Sequence, residues 1–94
     1  MSLSIQHQAT AHRFVAQVEG HQAELVYALQ QSQLVIEHTG VPAAIGGRGI
    51  AGELVKAALE FARSSGLKVV PACSYSAAYI QQHPQYRDLL AAGH

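Results

Sequence analysis

The sequence predicts a mixed α+β domain, with a mostly antiparallel sheet of about four strands, one long helix and short C-terminal helices. Three runs of alternating apolar residues, separated by short polar turns, predict an antiparallel meander. A glycine-rich loop follows, and the apolar period then becomes helical from Ile50. Since a compact apolar run at 67–70 comes after this helix, we expect strands three and four to be parallel and joined by a right-handed crossover.

Each of the three predicted strands is recognised from alternating apolar side chains. The first two cover residues 14–18 and 23–29, with apolar side chains at every second position. In the third, strict alternation places Leu34, Ile36 and His38 on one side and Val35, Glu37 and Thr39 on the other. Residues 1–11 are polar without a clear period, so we interpret them as a frayed lead-in to a single domain spanning residues 1–94.

Glycine and proline mark the ends of the later elements. Gly66 is expected to stop the long helix, and Pro71 to end the fourth strand. A short helix is predicted over residues 74–82, capped by Ser74. Residues 85–92 are expected to form a last helical turn after the break at His83-Pro84.

Composition argues against several functional classes. Lys plus Arg equals Asp plus Glu, six each, which gives no strong footprint for nucleic acid. The six histidines lack metal-ligand spacings, and no apolar stretch is long enough to span a bilayer, so neither a metal site nor a membrane segment is predicted.

The single cysteine, Cys73, fits a reducing compartment, and we expect a cytoplasmic protein. With 49% hydrophobic and 13% charged residues, the chain is apolar for a monomer and compatible with a buried homodimer contact.

The loop Gly46-Gly47-Arg48-Gly49-Ile50-Ala51 directly follows the third strand and opens the long helix. Glycines permit positive φ and close approach of a ligand, and the first N–H groups of a helix favour an anion. Arg48 could add a charge-assisted contact to phosphate. A flexible turn with a helix cap is the alternative interpretation. The loop is neither a Walker loop nor a full dinucleotide fingerprint, and three antiparallel strands before it argue against a dinucleotide fold.

Four segments in order and spacing resemble the short YjdJ-type subgroup of GNAT acetyltransferases. They are His38-Thr39-Gly40-Val41-Pro42, Gly47-Arg48-Gly49-Ile50-Ala51, Val70-Pro71-Ala72-Cys73-Ser74-Tyr75 and His83-Pro84-Gln85-Tyr86. The resemblance covers the chain from about the first strand to Leu90. It implies that acetyl-CoA lies where two neighbouring strands splay apart.

The resemblance also implies which residues bind the coenzyme. The superfamily loop reads Gln/Arg-x-x-Gly-x-Gly/Ala; Gly49 and Ala51 match its last two signature positions, whereas Gly46 stands where Gln or Arg is usual, a loss for which Arg48 could compensate. The pantetheine arm is expected along Val41 and Pro42. The full set of cofactor residues implied by the resemblance is Val41, Pro42, Gly46, Gly47, Arg48, Gly49, Ile50, Ala51 and Ser74.

His38, Cys73 and Tyr79 are the candidate catalytic residues. His38 ends the third strand, and histidine is the side chain most often used as a general base, although it could simply pack or cap there. Cys73 follows the fourth strand and is either a small buried hydrophobe or an acetyl-accepting nucleophile. If the crossover is right, His38 and Cys73 come from adjacent strands and could meet. Tyr79, with Tyr75 as the alternative, is the candidate donor of a proton to the departing thiolate, whereas Tyr27 is expected in the core.

These observations predict an acetyl-CoA-dependent N-acetyltransferase acting on a small-molecule or protein amine. The alternative is a non-catalytic CoA-binding or regulatory module. A third class, a nucleic-acid or scaffold protein with a decayed cofactor site, is disfavoured by the balanced charge. The resembled short form lacks the elements that usually shape the acceptor site, so the sequence does not identify the acceptor, and a partner subunit could complete that site.

Overall fold

A computed structural model describes residues 4–91, which form one five-stranded sheet in the order β1-β2-β3-β4-β5. The strands are β1 (Ile5–Gln8), β2 (Arg13–Val18), β3 (His21–Gln30), β4 (Gln33–Gly40) and β5 (Lys68–Pro71). The helices are α1 (Ile50–Ser65) and α2 (Ser74–Gln82), with short 3₁₀ helices at Ala9–Ala11, Ala43–Ile45 and Pro84–Leu89. None of the helices in this part of the chain is long and apolar enough to cross a membrane.

The topology confirms the predicted fold class. Strands β1 to β4 pair antiparallel with their neighbours, and β5 runs parallel to β4 after the α1 crossover. Parallel pairing needs a long connection, which α1 supplies. The predicted strands three and four are therefore β4 and β5.

The prediction of a frayed lead-in is wrong for residues 4–11, and residues 1–3 lie outside the described part. Ile5–Gln8 form β1, and a 3₁₀ turn at Ala9–Ala11 leads into β2. His12 then adopts a left-handed φ of 55°, and its carbonyl accepts a hydrogen bond from the Tyr27 N–H at 3.0 Å. A strand of four residues is too short for an alternating pattern to stand out, so no local pattern predicts β1.

One face of the sheet and the apolar stripe of α1 form the core. Leu54, Ala58 and Leu59 of α1 are fully buried in the same cluster as Leu25 and Ile36 of the sheet. Gly66 ends the helix as predicted, with a φ of 71°, and the Leu67 N–H donates to the Ala62 carbonyl at 2.9 Å. The core fixes α1 across the sheet, with its N-terminus pointing towards the ends of β4 and β5.

A β-bulge in β4 overturns the predicted alternation. Ile36 pairs with Tyr27 and His38 pairs with Val26, so Glu37 is the extra residue. The bulge reverses the faces of the residues that follow it, because side chains alternate strictly only in an unbroken ladder. Thr39, opposite the buried Leu25, consequently lies on the helix side of the sheet, and His38 lies on the other side.

The C-terminal segment covers the outer edge of β5. The Ala91 N–H donates to the Val69 carbonyl at 3.0 Å, beside a bridge between Val69 and Leu90. Tyr86 is buried and donates its hydroxyl to Glu60 of α1 at 2.6 Å; burial and this bond raise the pKa of Tyr86 to about 12. The predicted last helical turn at 85–92 is thus a 3₁₀ helix at Pro84–Leu89 that ties the chain back to α1 and β5.

Candidate functional site

Strands β4 and β5 diverge beyond a defined point. The last paired residues are Ile36 and Pro71, and one further hydrogen bond joins the Cys73 N–H to the Ile36 carbonyl at 3.0 Å. Proline cannot donate to a ladder, and the Ala72 N–H turns back to the Val70 carbonyl at 3.0 Å. β4 continues to Gly40, whereas β5 ends at Pro71, so residues 37–40 of β4 have no partner in β5.

The N-terminus of α1 presents backbone amides that have no partner within the helix, near the end of β4. The first helical bond runs from the Glu53 N–H to the Gly49 carbonyl at 3.1 Å, so the N–H groups of Ile50, Ala51 and Gly52 have no partner within the helix. Gly49 is the N-cap and supplies no side chain. Gly47 and Gly49 both have a φ of 76°, which lets the loop turn sharply into the helix. These amides lie at the positive end of the helix dipole and favour an anion.

A pocket of about 270 Å³ lies against these amides. Its lining residues are Val41, Gly46, Gly47, Gly49, Ile50, Ala51 and Tyr75. All predicted cofactor residues except Pro42, Arg48 and Ser74 therefore meet at one pocket. Residues 46–49 are exposed, so protein does not bury the loop that leads into the helix, whereas the Ile50 side chain packs in the core. A diphosphate group suits such a cradle because the donors are backbone amides that glycine leaves accessible.

The side chain of Arg48 is engaged elsewhere. Its guanidinium makes a two-pronged ion pair with Glu19 in the β2–β3 turn, at 2.6 Å and 3.2 Å. The hydrogen bonds to Arg48 lower the pKa of the Glu19 carboxyl. Arg48 does not line the pocket in this conformation, and its predicted contact with phosphate stays a prediction.

Cys73 is the N-cap of α2, so the predicted cap at Ser74 is wrong by one residue. The Cys73 Sγ lies 3.8 Å from the Thr39 Oγ1. Burial raises the pKa of the Cys73 thiol, but the amides of Ser76 and Tyr75 together with the Thr39 hydroxyl outweigh it and lower that pKa. A cysteine at a helix N-terminus is a position where the thiolate is favoured.

His38 does not share the face of β4 that carries the Cys73 contact. Because the bulge at Glu37 turns it to the opposite side of the sheet, Thr39 takes the place beside Cys73 that the sequence suggested for His38. The His38 ring lies over Gly40, where a Cβ would come within 2.9 Å of the His38 Nε2. His38 is exposed, which leaves its imidazole accessible on the open face.

The two candidate tyrosines differ in their surroundings. Tyr75 is 44% exposed and lines the pocket, whereas Tyr79 stacks on His83 with ring centroids 3.9 Å apart. Burial, followed by the charge of Glu53, raises the pKa of Tyr79. Both rings pack against Gly52, where a Cβ would lie 3.3 Å from the Tyr75 hydroxyl and 3.5 Å from the Tyr79 ring. Tyr27 is buried as predicted.

Sequence reasoning missed Glu19 and Thr39. Each acts through a partner far along the chain, Arg48 and Cys73 respectively, so no local pattern marks it. The one available signal is Glu19 itself, a glutamate in the two-residue turn Glu19-Gly20 where a hairpin prefers Asn, Asp or Gly. Within residues 4–91, no group of three or more His, Cys, Asp or Glu side chains could hold a metal ion.

Comparisons with known proteins identify the family. The profile of the family described as GCN5-related N-acetyl-transferase matches residues 13–89. The chain is 34% identical over 93 residues to Protein NATD1 of Gallus gallus, covering 94% of this chain and 84% of that protein. Protein NATD1 of Homo sapiens is likewise 34% identical over 93 residues, covering 94% of this chain and 82% of that protein.

A structural comparison leads to the same family. The solution NMR structure of a GCN5-like protein from Staphylococcus aureus superposes with a TM-score of 0.73 at 31% identity, over 100% of this chain and 97% of that chain. The narrower YjdJ-type grouping stays a prediction. Since the family profile spans most of the chain and the structural neighbour shares its fold, the chain belongs to the GCN5-related N-acetyltransferase family.

Proposed function

We propose that this protein is an acetyl-CoA-dependent N-acetyltransferase acting on a small-molecule or protein amine. The observation that carries the proposal is the pocket formed by the unpaired amides of α1 beside the divergence of β4 and β5. The amides of Ile50 and Ala51, with the glycines before them, would hold the diphosphate of the coenzyme. Val41 and the free edge of β4 would hold the pantetheine arm.

The bound coenzyme would supply the acetyl group as a thioester. Transfer requires a neutral amine, whose nitrogen bonds to the acetyl carbon as the carbon–sulfur bond breaks. His38 is the proposed base that removes the proton from this amine, and its exposure on the open face supports access for an acceptor. Tyr75 is the better-supported proton donor to the departing sulfur, because it lines the pocket whereas Tyr79 is stacked on His83.

Two routes for the acetyl group fit this arrangement. In direct transfer, the amine attacks the thioester and Cys73 only lines the site. In the second route, the Cys73 thiolate takes the acetyl group and expels the coenzyme thiolate, which takes a proton from Tyr75. The amine then attacks the acetyl-cysteine and regenerates the Cys73 thiolate. The lowered pKa of Cys73 and its position at the N-terminus of α2 support a thiolate there.

Replacing Cys73 separates the two routes. If Cys73 carries the acetyl group, Cys73→Ala abolishes transfer, and mass spectrometry of the wild type mixed with acetyl-CoA shows a transient acetyl adduct. If the amine attacks directly, Cys73→Ala keeps substantial activity and His38→Ala loses more. Thr39→Val is the matched variant: removing its hydroxyl raises the pKa of Cys73, so only the thiolate route slows at neutral pH.

Calorimetry with acetyl-CoA, paired with a free-thiol assay over a panel of amines, tests the proposal itself. We expect binding together with amine-dependent release of the coenzyme thiol, and loss of release in Tyr75→Phe without loss of binding. Absence of any interaction at millimolar acetyl-CoA would refute the proposal. Binding without turnover across amines and acceptor proteins would instead support a non-catalytic CoA-binding module.

A further inference from the structure

We infer that Glu19 restrains the binding of phosphate-bearing ligands at the glycine loop by holding Arg48 in an ion pair. The inference rests on the proposed function, because it concerns how tightly the proposed coenzyme site holds its ligand. Glu19 is on the β2–β3 turn, 29 residues before Arg48 in the chain. The pair therefore joins a hairpin outside the pocket to the loop that forms it.

Both partners occupy unusual backbone positions. Glu19 has a φ of 50° and Gly20 a φ of 79°, so Glu19 takes the first central place of a hairpin turn where non-glycine residues are strained. Arg48 lies between Gly47 and Gly49, both at a φ of 76°. Because glycine tolerates many backbone conformations, the loop can redirect the Arg48 side chain at little backbone cost.

The charges explain why the pair opposes anion binding. The two-pronged contact at 2.6 Å and 3.2 Å offsets the one cationic side chain of residues 46–51. The Glu19 side chain is 65% exposed, and its carboxylate holds a negative charge beside the one loop side chain that could meet a phosphate. The Arg48 side chain is 35% exposed, and exposed pairs are weak, so a phosphate can displace the carboxylate. Without Glu19, Arg48 is free to make a two-pronged contact with phosphate.

The test compares CoA binding by the wild type and Glu19→Gln. We expect the substitution to tighten CoA binding about two- to fivefold at low salt, the range set by the modest strength of exposed ion pairs. Affinity should also fall more steeply with added salt, since the freed guanidinium contributes another charge-assisted contact. Pantetheine, which shares the thiol arm but lacks phosphate, should bind both proteins equally.

Two control variants distinguish the effect of the Glu19–Arg48 ion pair on CoA binding from the effect of removing any surface carboxylate. Asp88→Asn removes a carboxylate that is similarly exposed and similarly paired with an arginine, Arg63, at 3.0 Å and 3.1 Å. It should leave CoA binding unchanged. In an Arg48→Gln background, Glu19→Gln should lose most of its effect, because the guanidinium that it releases is gone.

The outcomes distinguish this inference from the proposed function. Tighter and more salt-sensitive CoA binding by Glu19→Gln, absent in the Arg48→Gln background, supports the inference. If the wild type binds CoA and Glu19→Gln binds it equally or more weakly, the inference is wrong and the proposed function stands. If neither protein binds CoA, the proposed function fails and the inference fails with it.

Discussion

The regions around the two ends of α1 differ in whether their polar groups are hydrogen-bonded within the protein. At the aromatic end, which we define as His7, Phe14, Tyr27 and Phe61, the His7 Nε2 lies 2.6 Å from the Tyr27 hydroxyl and the His7 ring stacks on Phe14 at 4.1 Å. At the glycine end, residues 46–51, the helix amides remain unpaired and border a pocket. The polar side chains of the aromatic end bond to each other, whereas the backbone donors of the glycine end are available to a ligand.

The same residue types have different roles at the two ends. The half-buried His7 is hydrogen-bonded to the buried Tyr27 at the edge of the core, whereas His38 and Tyr75 are exposed, on the open face and at the pocket respectively. Environment rather than residue identity therefore separates the structural histidine and tyrosine from the candidate catalytic ones. It follows that substitutions at the aromatic end should change stability, and those at the glycine end should change ligand binding.

Phe14→Ala should break the aromatic end most severely. Phe14 is 4% exposed, and deleting a buried aromatic ring costs about 3–5 kcal/mol of unfolding free energy, a large share of what a domain of this size has. Urea denaturation followed by circular dichroism measures the loss. Gln17→Ala, at an exposed position on the same strand, is the control. A loss as small as that of the control would show that the aromatic end does not stabilise the fold.

Gly49→Ala tests the glycine end against a matched glycine elsewhere. Gly49 and Gly20 have φ values of 76° and 79°, and a Cβ at either meets nothing within 4 Å, so both alanine variants should lose about 1–2 kcal/mol of stability from backbone strain alone. Only Gly49→Ala puts a methyl group into the pocket mouth. We expect its CoA affinity to fall about tenfold or more by calorimetry. Equal affinities in the two variants would contradict the proposed site.

Gly52→Ala should move stability and binding in opposite directions. Alanine in a helix is favoured over glycine by about 0.5–1 kcal/mol, which should raise the melting temperature slightly. The new methyl group would lie 3.3 Å from the Tyr75 hydroxyl, and the exposed Tyr75 side chain can shift to relieve it. That shift should weaken CoA binding modestly. A stabilised variant with unchanged CoA affinity would show that the position of Tyr75 does not affect CoA binding.

The pH dependence of stability should show the smallest effect at the aromatic end. Burial lowers the pKa of His7 below its ordinary value of 6.5, so the folded state prefers neutral imidazole. As the pH falls below the ordinary histidine pKa, the unfolded chain binds a proton at His7 more readily than the folded protein does. The stabilisation from neutral His7 is therefore fully present above that pH and decreases progressively below it. His7→Phe should remove this part of the acid sensitivity. Urea midpoints between neutral and mildly acidic pH check it, and an identical slope in the variant would contradict it.

Regular patterns predicted most of the fold, because apolar periodicity reports directly on which face is buried. The meander, the α1 stripe, the stop at Gly66 and the parallel crossover all follow from it. β1 was missed because four residues carry too little pattern. The glycine loop was predicted because its chemistry is local, with donors and conformational freedom in consecutive residues.

The failures arose where distant residues decide the outcome. The bulge at Glu37 depends on how β3 pairs with β4, and it moved His38 away from Cys73 and brought Thr39 there instead. The Glu19–Arg48 pair depends on where the hairpin comes to lie relative to the loop. The unusual glutamate in the hairpin turn does not identify its partner, and the bulge has no local signal, so the three-dimensional arrangement is needed to find both.

Titrating the labelled protein with CoA and following its amide resonances by two-dimensional NMR tests the account most directly. We predict that the amides of residues 46–52 shift progressively with CoA, while those of the aromatic end stay unchanged. Shifts confined to other regions, or no shifts at saturating CoA, would contradict the claim that the open amides of α1 are the ligand site.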